Sequence, residues 1–319
     1  MVRNIGAYAK LSCHRPNKLN PDYAAQVKWV NGAGQDMTRE ARDKGWRNSV
    51  KSIGYDLLQL NHYALRSAES YLIKRQRGRA LHVDGSAPDL CVVYLQSVSG
   101  GLFEHERLAG RIEVGQGARA HVATPASTIV HAMQGGSAVQ RMRLVAQPGA
   151  LLEYLPAPLI LFPGSHMVSD TEVTLAEGAL VVVADSFLPH DPNGGQDCFA
   201  RIESAMTIRD AQGQLLAREC MRIDGAGWLA GGAGANAGLR MHASLWLLGS
   251  PAGGELLQAL RALPVPAGEL AGASLLPNGA GIVFRALVGD AVGLDRLMHA
   301  AWSAARTHHT GSAPALRRR

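Results

Sequence analysis

Two kinds of hydrophobic pattern divide the chain. From Asp56 to Gly78, Leu57, Leu60, Ala64, Leu65, Ala68, Tyr71 and Leu72 recur three and four residues apart, the spacing of one helical face. Asp56 stands where an N-cap belongs, Lys74, Arg75 and Arg77 suit the negative end of the helix dipole, and Gly78 is a natural residue to follow the last turn. Before this helix, KWVNGAGQDM (28–37) and GWRNSVKSIG (45–54) are polar and Gly-containing and read as loops. After residue 88 the pattern shortens to β-type runs. ARAHVATPAS (118–127), AVQRMRLVA (138–146), TEVTLA (171–176) and ALVVVADSF (179–187) are alternating or β-branched and separated by turn residues.

Three of the turns share one form. VGQGA (114–118), AQPGA (146–150) and LAEGA (175–179) each place Gly-Ala at the start of a new strand, and Gly117, Gly149 and Gly178 lie 32 and 29 residues apart. A period near 30 predicts a repeated β-hairpin stacked on its neighbours, a solenoid-like layer. A further hairpin is read from RIESAMTIRD (201–210), AQG and QLLARECMRI (214–223). GAGWLAGGAGANAG (225–238) reads as a flexible insertion. Two helices come late: Leu256, Leu257, Leu260 and Leu263 form a stripe within 254–263, and Asp290 caps a helix that carries Leu294, Leu297, Met298, Ala301 and Trp302 inward. HHTGSAPALRRR (308–319) reads as a frayed end. The fold class is α+β and mainly β: stacked β-hairpin, solenoid-like sheets with two late helices, preceded by a helical N-terminal segment.

Charge places the boundary. Residues 1–85 hold 15 Lys and Arg against 7 Asp and Glu, net +8; the remaining 17 basic and 19 acidic residues give −2. All six lysines precede residue 75. This predicts a basic helical segment over 1–85 and a β-rich domain over 86–319. Aromatic residues are 5% of the chain, too few for a base-stacking binder of single strands, and the basic face of 1–85 reads as a solvated helix surface ahead of one that attracts nucleic acid or an anionic membrane, so neither partner is expected. No apolar run is long enough to span a membrane, and residues 1–10 lack a signal core. The four cysteines, Cys13, Cys91, Cys198 and Cys220, have no C-x-x-C spacing and read as a disulfide-free cytoplasmic set.

Catalytic signatures are missing. There is no G-x-S-x-G, no P-loop and no D-x-D. Three stretches carry metal-ligand types. In EHE (104–106), an extended segment would turn Glu104 and Glu106 to one side and His105 to the other. The others are His308-His309 and HDPNGGQDC (190–198), which has His190, Asp191, Asp197 and Cys198. For EHE and His308-His309 the reading as an ordinary loop or chain end comes first; HDPNGGQDC reads equally as a ligand cluster or a loop.

LNHYALRSAESYLIKRQRGRA (60–80) resembles the C-terminal end of family-2-like glycosyltransferases, whose nucleotide-binding half has no counterpart here; His62 would be a relic of such a site. The β-rich part resembles a different family, urease accessory protein UreD (UreH). GGLFEHERL (100–108), LLEYLPAPLILFPGS (151–165), AGASLLPNGAGIVFRALVGDAVGLDRLMHAAW (271–302) and GSAPALRRR (311–319) follow that family's segments in order and spacing. The first resemblance covers about 1–84 and the second about 86–319, as in a fusion. The second implies a non-catalytic scaffold that binds apo-urease and the accessory protein UreF, and through UreF the GTPase UreG, for nickel delivery to urease. It implies no tightly bound cofactor, only transient nickel, along a path of acidic and polar residues. Glu106, Glu153, Asp185 and Asp197 hold positions that match acidic residues of the family, each a path residue or an ordinary salt-bridge partner. The sequence departs from the family where Glu104 and His105 replace glycines and where the family's first strands are missing, which would expose a sheet edge. The competing readings are a truncated glycosyltransferase-related protein and a metal-free β-rich adaptor.

Overall fold

A computed structural model describes residues 8–11, 16–19, 22, 25–28, 30, 33, 35–38, 90–96, 100–232, 234–249 and 254–314. The helix read over 56–78, with His62, lies outside the described residues. The chain divides into two units, one within residues 1–79 and the other within 80–317. In the first, β1 (Tyr8–Leu11) pairs antiparallel with β2 (Pro16–Leu19). A single bridge joins Val30 to Asp36, whose carboxylate accepts from the Thr38 amide at 2.8 Å.

The second unit is a β-solenoid that runs into an antiparallel sandwich. Its strands begin with β3 (Cys91–Tyr94), β4 (Arg107–Val114), β5 (Arg119–Ala123), β6 (Thr128–Val130) and β7 (Ala138–Ala146). Then come β8 (Leu151–Leu155), β9 (Leu159–Leu161), β10 (His166–Leu175) and β11 (Leu180–Pro189). The turns that precede β5, β8 and β11 are the three repeated Gly-Ala turns. Gly117, Gly149 and Gly178 take φ of 65°, 67° and 66°, which only glycine adopts without strain. They also stack: the Gly117 amide donates to the Pro148 carbonyl and the Gly149 amide to the Glu177 carbonyl, at 2.9 and 3.0 Å. The strands on either side of each turn do not pair with each other. Each pairs in parallel with its counterpart in the next coil, β4–β7–β10 in one sheet and β5–β8–β11 in the other. The repeat is therefore a coil rather than a hairpin, because the turn carries the chain from one sheet across to the facing one.

The last coil hands over to antiparallel pairing. β12 (Arg201–Asp210) lies parallel to β10 and forms with β13 (Leu215–Asp224) the hairpin expected from sequence. The strands β14 (Met241–Leu248), β15 (Leu270–Leu275) and β16 (Gly281–Val288) extend the other sheet from β11, in the order β11-β14-β16-β15. The helices are α1 (Gly225–Ala230), α2 (Gly254–Arg261) and α3 (Ala291–Thr310). Helices α2 and α3 cover the outer face of the larger sheet, where Leu256, Leu260, Leu294, Leu297 and Trp302 pack on Leu245, Leu247, Ile282 and Phe284. Asp290 caps α3 by accepting from the Gly293 amide at 2.7 Å.

Two expectations are corrected. Residues 308–310 are the last turn of α3, closed by Gly311 at φ 72°, rather than a frayed end. In the glycine-rich 225–238, Gly225, Trp228 and Asn236 are buried and anchor it where a flexible insertion was expected. The buried Trp228 indole donates to the Arg240 carbonyl at 2.9 Å, and buried Asn236 donates to the Trp228 carbonyl at 2.7 Å. A Cβ on Gly225 would lie 1.8 Å from the Phe199 carbonyl oxygen, so glycine is there for close backbone approach. At the start of the solenoid, β3 and β4 are sheet edges among the described residues, with Val93, Tyr94, Leu95, Phe103 and Leu108 exposed nearby.

Candidate functional site

Alternation along the strands decides which side chains enter the space between the sheets. At most inward positions the residue is apolar, and two clusters result. One contains Leu144, Leu152, Val173, Val181 and Ile208; the other contains Leu161, Met167, Phe187, Phe199 and Ile202. Between them the inward residues turn polar. Gln140, Ser169 and Ser204 stand side by side on β7, β10 and β12. On the other sheet Asp185, Ser244 and Arg285 form one row across β11, β14 and β16. A polar belt thus crosses the middle of the sandwich.

The belt opens into a narrow cleft lined by Asp185, Ser204, Glu219, His242, Ser244 and Trp246, with Met206 and Met221 at its walls. Asp185 accepts from the Ser204 hydroxyl at 2.8 Å and so links the two sheets. Glu219 reaches across to an ion pair with Arg285, whose guanidinium lies 5.6 Å from the Trp246 ring centroid. Two groups lining the cleft are buried and without a partner among the described residues, His242 Nδ1 and Trp246 Nε1. Burial holds the His242 pKa below its ordinary 6.5, with Asp185 pulling upward and Arg285 downward, so the imidazole is neutral at pH 7. Burial and the Asp185 charge push the Tyr154 phenol up to about 12, against a hydrogen bond with Gln140. Carboxylate, neutral imidazole, hydroxyl and thioether are ligand types that suit borderline divalent cations.

The four acidic residues singled out in the sequence do not converge. Glu153 and Asp185 lie on opposite faces of one sheet: Glu153 points to α3, Asp185 into the sandwich. Glu153 is saturated. It accepts from His121 Nδ1 at 2.8 Å, Trp302 Nε1 at 3.0 Å and Arg306 Nε at 2.8 Å, and also pairs with Arg306 Nη2. Burial alone would raise its pKa, but these donors outweigh it and hold the carboxyl below its ordinary 4.5. Glu106 sits in the turn before β4 and accepts from the Phe103 amide at 3.0 Å. EHE is not extended: His105 takes φ 65°, and Glu104 accepts from the Gly136 amide at 2.5 Å, so the two carboxylates are held by separate backbone groups. Asp197 is exposed in the loop before β12. Among the described residues no three His, Cys, Asp or Glu side chains gather as round a metal ion. Sequence reasoning missed Ser204, Glu219, His242 and Arg285, whose signal was a polar residue at an inward position of a strand, readable only once strand parity is known.

Residues 58–319 match the family described as UreD urease accessory protein. The chain belongs to this family. It is 39% identical to urease accessory protein UreD 1 of Methylorubrum populi over 244 residues, which covers 76% of this chain and 82% of the relative. It is 38% identical to UreD 1 of Pseudomonas syringae pv. tomato over 76% of this chain and 86% of that protein. With UreD 2 of Streptomyces griseus it shares 31% identity over 269 residues, 80% of this chain and 91% of the relative. The UreD match begins at residue 58 and so takes in the whole of the stretch 60–80 that resembles a glycosyltransferase end. Among the described residues no helix is long and apolar enough to cross a membrane.

Proposed function

We propose that the chain is a scaffold for urease maturation in the cytoplasm. In this reading it binds apo-urease and the accessory protein UreF, and through UreF the GTPase UreG, and it supports the delivery of nickel to the urease active site. Nickel is cargo here, not a resident cofactor, and the chain itself catalyses no reaction. The family match over residues 58–319 carries the reading. The polar belt supports it. An ion in transit needs ligands that bind in turn without enclosing it, and Asp185, Glu219 and His242 line one cleft without forming a closed cage. Within this reading Asp185 is a path residue. Glu153 is a structural residue, because all its acceptor capacity is used by His121, Trp302 and Arg306. Glu106 and Asp197 remain candidates for the ends of a path, since both lie outside the core.

The test is complementation. Urease is co-expressed with its other accessory proteins but without its own UreD, and the 319-residue chain is supplied or withheld. Urea hydrolysis and urease-bound nickel are expected to rise together only when the chain is present. The Asp185→Asn variant is expected to co-purify with the same proteins and to load less nickel. A soluble, folded chain that raises neither quantity and brings down neither urease nor UreF overturns the proposal.

A further inference from the structure

The five-stranded sheet β13-β12-β10-β7-β4 has a second face that the belt does not use. Its outward residues on β4 and β13, with Arg141 and Arg143 on β7, are exposed, and many of them are arginines. Strand register sets them in rows. Arg107 and Arg222 end one row, Arg141 stands in the next, and Arg111, Arg143 and Arg218 share the third. The acids on the same face are mostly engaged. Glu113 is paired with Arg111 at 2.8 Å, Glu203 with His166 at 3.0 Å and Glu172 with Arg209 at 3.8 Å, while Asp224, beside Arg222, is held by Arg201 at 2.7 Å. Arg107, Arg141, Arg143 and Arg218 make no ion pair among the described residues. Against these four charges the described residues of the face offer Asp170, which makes no ion pair, and Glu203, whose partner is a histidine rather than an arginine, so the face presents a net positive charge.

The arrangement is also wide. Four strand spacings of about 4.8 Å and strands up to about 33 Å long give roughly 600 Å². That is near the roughly 800 Å² that each partner contributes to a specific interface. Half-buried Val139, Val145 and Val168 lie between the arginines, and no aromatic ring does. A nucleic-acid backbone crossing this face would meet Asp170, Glu172 and Glu203 and would find no Phe, Tyr or Trp for its bases to stack on. A folded protein surface can place carboxylates over the arginines and apolar groups over the valines.

We infer that this sheet face is a docking surface for an acidic protein surface, whose carboxylates are held by Arg107, Arg141, Arg143 and Arg218. Arginine suits the role because its planar fork donates two parallel hydrogen bonds to a carboxylate. The inference stands apart from the maturation reading, because it needs only a carboxylate-bearing partner.

Binding of a fluorescent poly-glutamate of about 20 residues to the full chain tests it, with polyuridylate of equal length as the second probe. The glutamate chain is expected to bind in 50 mM salt and to be released by 500 mM, since such contacts are screened. Arg143→Glu with Arg218→Glu is expected to weaken it about tenfold or more, and the Gln pair less. Arg119→Glu with Arg240→Glu, the same charge change elsewhere, is expected to leave affinity within about twofold. Far-UV circular dichroism and melting temperature check that each variant folds, and the Gln pair stands in if the Glu pair does not. No poly-glutamate binding by the full chain, equal losses in the control pair, or unchanged binding by the folded Arg143/Arg218 variant overturns the inference. Polyuridylate that binds more tightly and is lost on the same substitutions overturns it in favour of a nucleic-acid face.

Discussion

Replacing Glu153 by Gln tests the reading of that residue as structural. The carboxylate is 1% exposed and is held by the guanidinium of Arg306, the indole of Trp302 and the imidazole of His121. Gln keeps the shape but removes the charge and turns one acceptor into a donor that faces donors. Arg306, whose side chain is 12% exposed, then keeps a charge with no counter-ion. Breaking a buried pair from one side costs about 3–5 kcal/mol. For a domain of this size each kcal/mol shifts the midpoint by about 2–4 °C, so Glu153→Gln is expected to melt about 6–20 °C lower. Adding Arg306→Met removes the stranded charge and is expected to recover part of the loss, which gives a favourable coupling in the double-mutant cycle. Thermal and urea unfolding, followed by near-UV circular dichroism from Trp302, measure it. Glu153→Gln within 1 kcal/mol of the parent, or a double variant that simply adds the two single losses, would refute the argument, and Glu153 would return to the candidates for an ion path.

Asp185 holds the Tyr154 phenol up, together with burial, so Asp185→Asn is expected to move that residue's titration from about 12 toward 10; ultraviolet titration differenced against Tyr154→Phe reads it. His242 is held below 6.5 in the folded chain, so the unfolded chain takes up the proton first. Its contribution to stability is full above pH 6.5 and is lost as the pH falls through the lowered folded value, and His242→Gln is expected to flatten the decline in unfolding free energy between pH 7 and 5. Glu153 adds a second, more acidic loss below its ordinary 4.5, which Glu153→Gln is expected to remove. Gly225→Ala pushes a methyl against the Phe199 carbonyl and is expected to destabilise by about 1–3 kcal/mol or to displace α1, seen as greater exposure of Trp228 in fluorescence quenching.

Local chemistry made much of the fold legible. The Gly-Ala turns disclosed the solenoid because a positive φ must be met by the residue at that position, whatever lies around it. Asp290 and the leucine stripes of α2 and α3 were readable for the same reason: capping and helical spacing are properties of a few neighbouring residues. The 225–238 segment was misread, because glycine that frees a loop and glycine that lets two backbones touch look identical in sequence.

What the amino-acid sequence determined alone, then, is the set of local units, their turns and the family they resemble. The tertiary structure decided which polar residues meet. Glu153 and Asp185 look alike as single acids inside apolar runs, and parity of the sheet sends one to α3 and the other into the belt. Ser204, Glu219 and His242 come from three strands, and only pairing across two sheets brings them to one cleft. The arginine face arises likewise from register between β4, β7 and β13, which sequence spacing does not contain. Contacts between distant segments depend on how the whole chain buries its apolar surface, and that balance is struck only in the assembled fold.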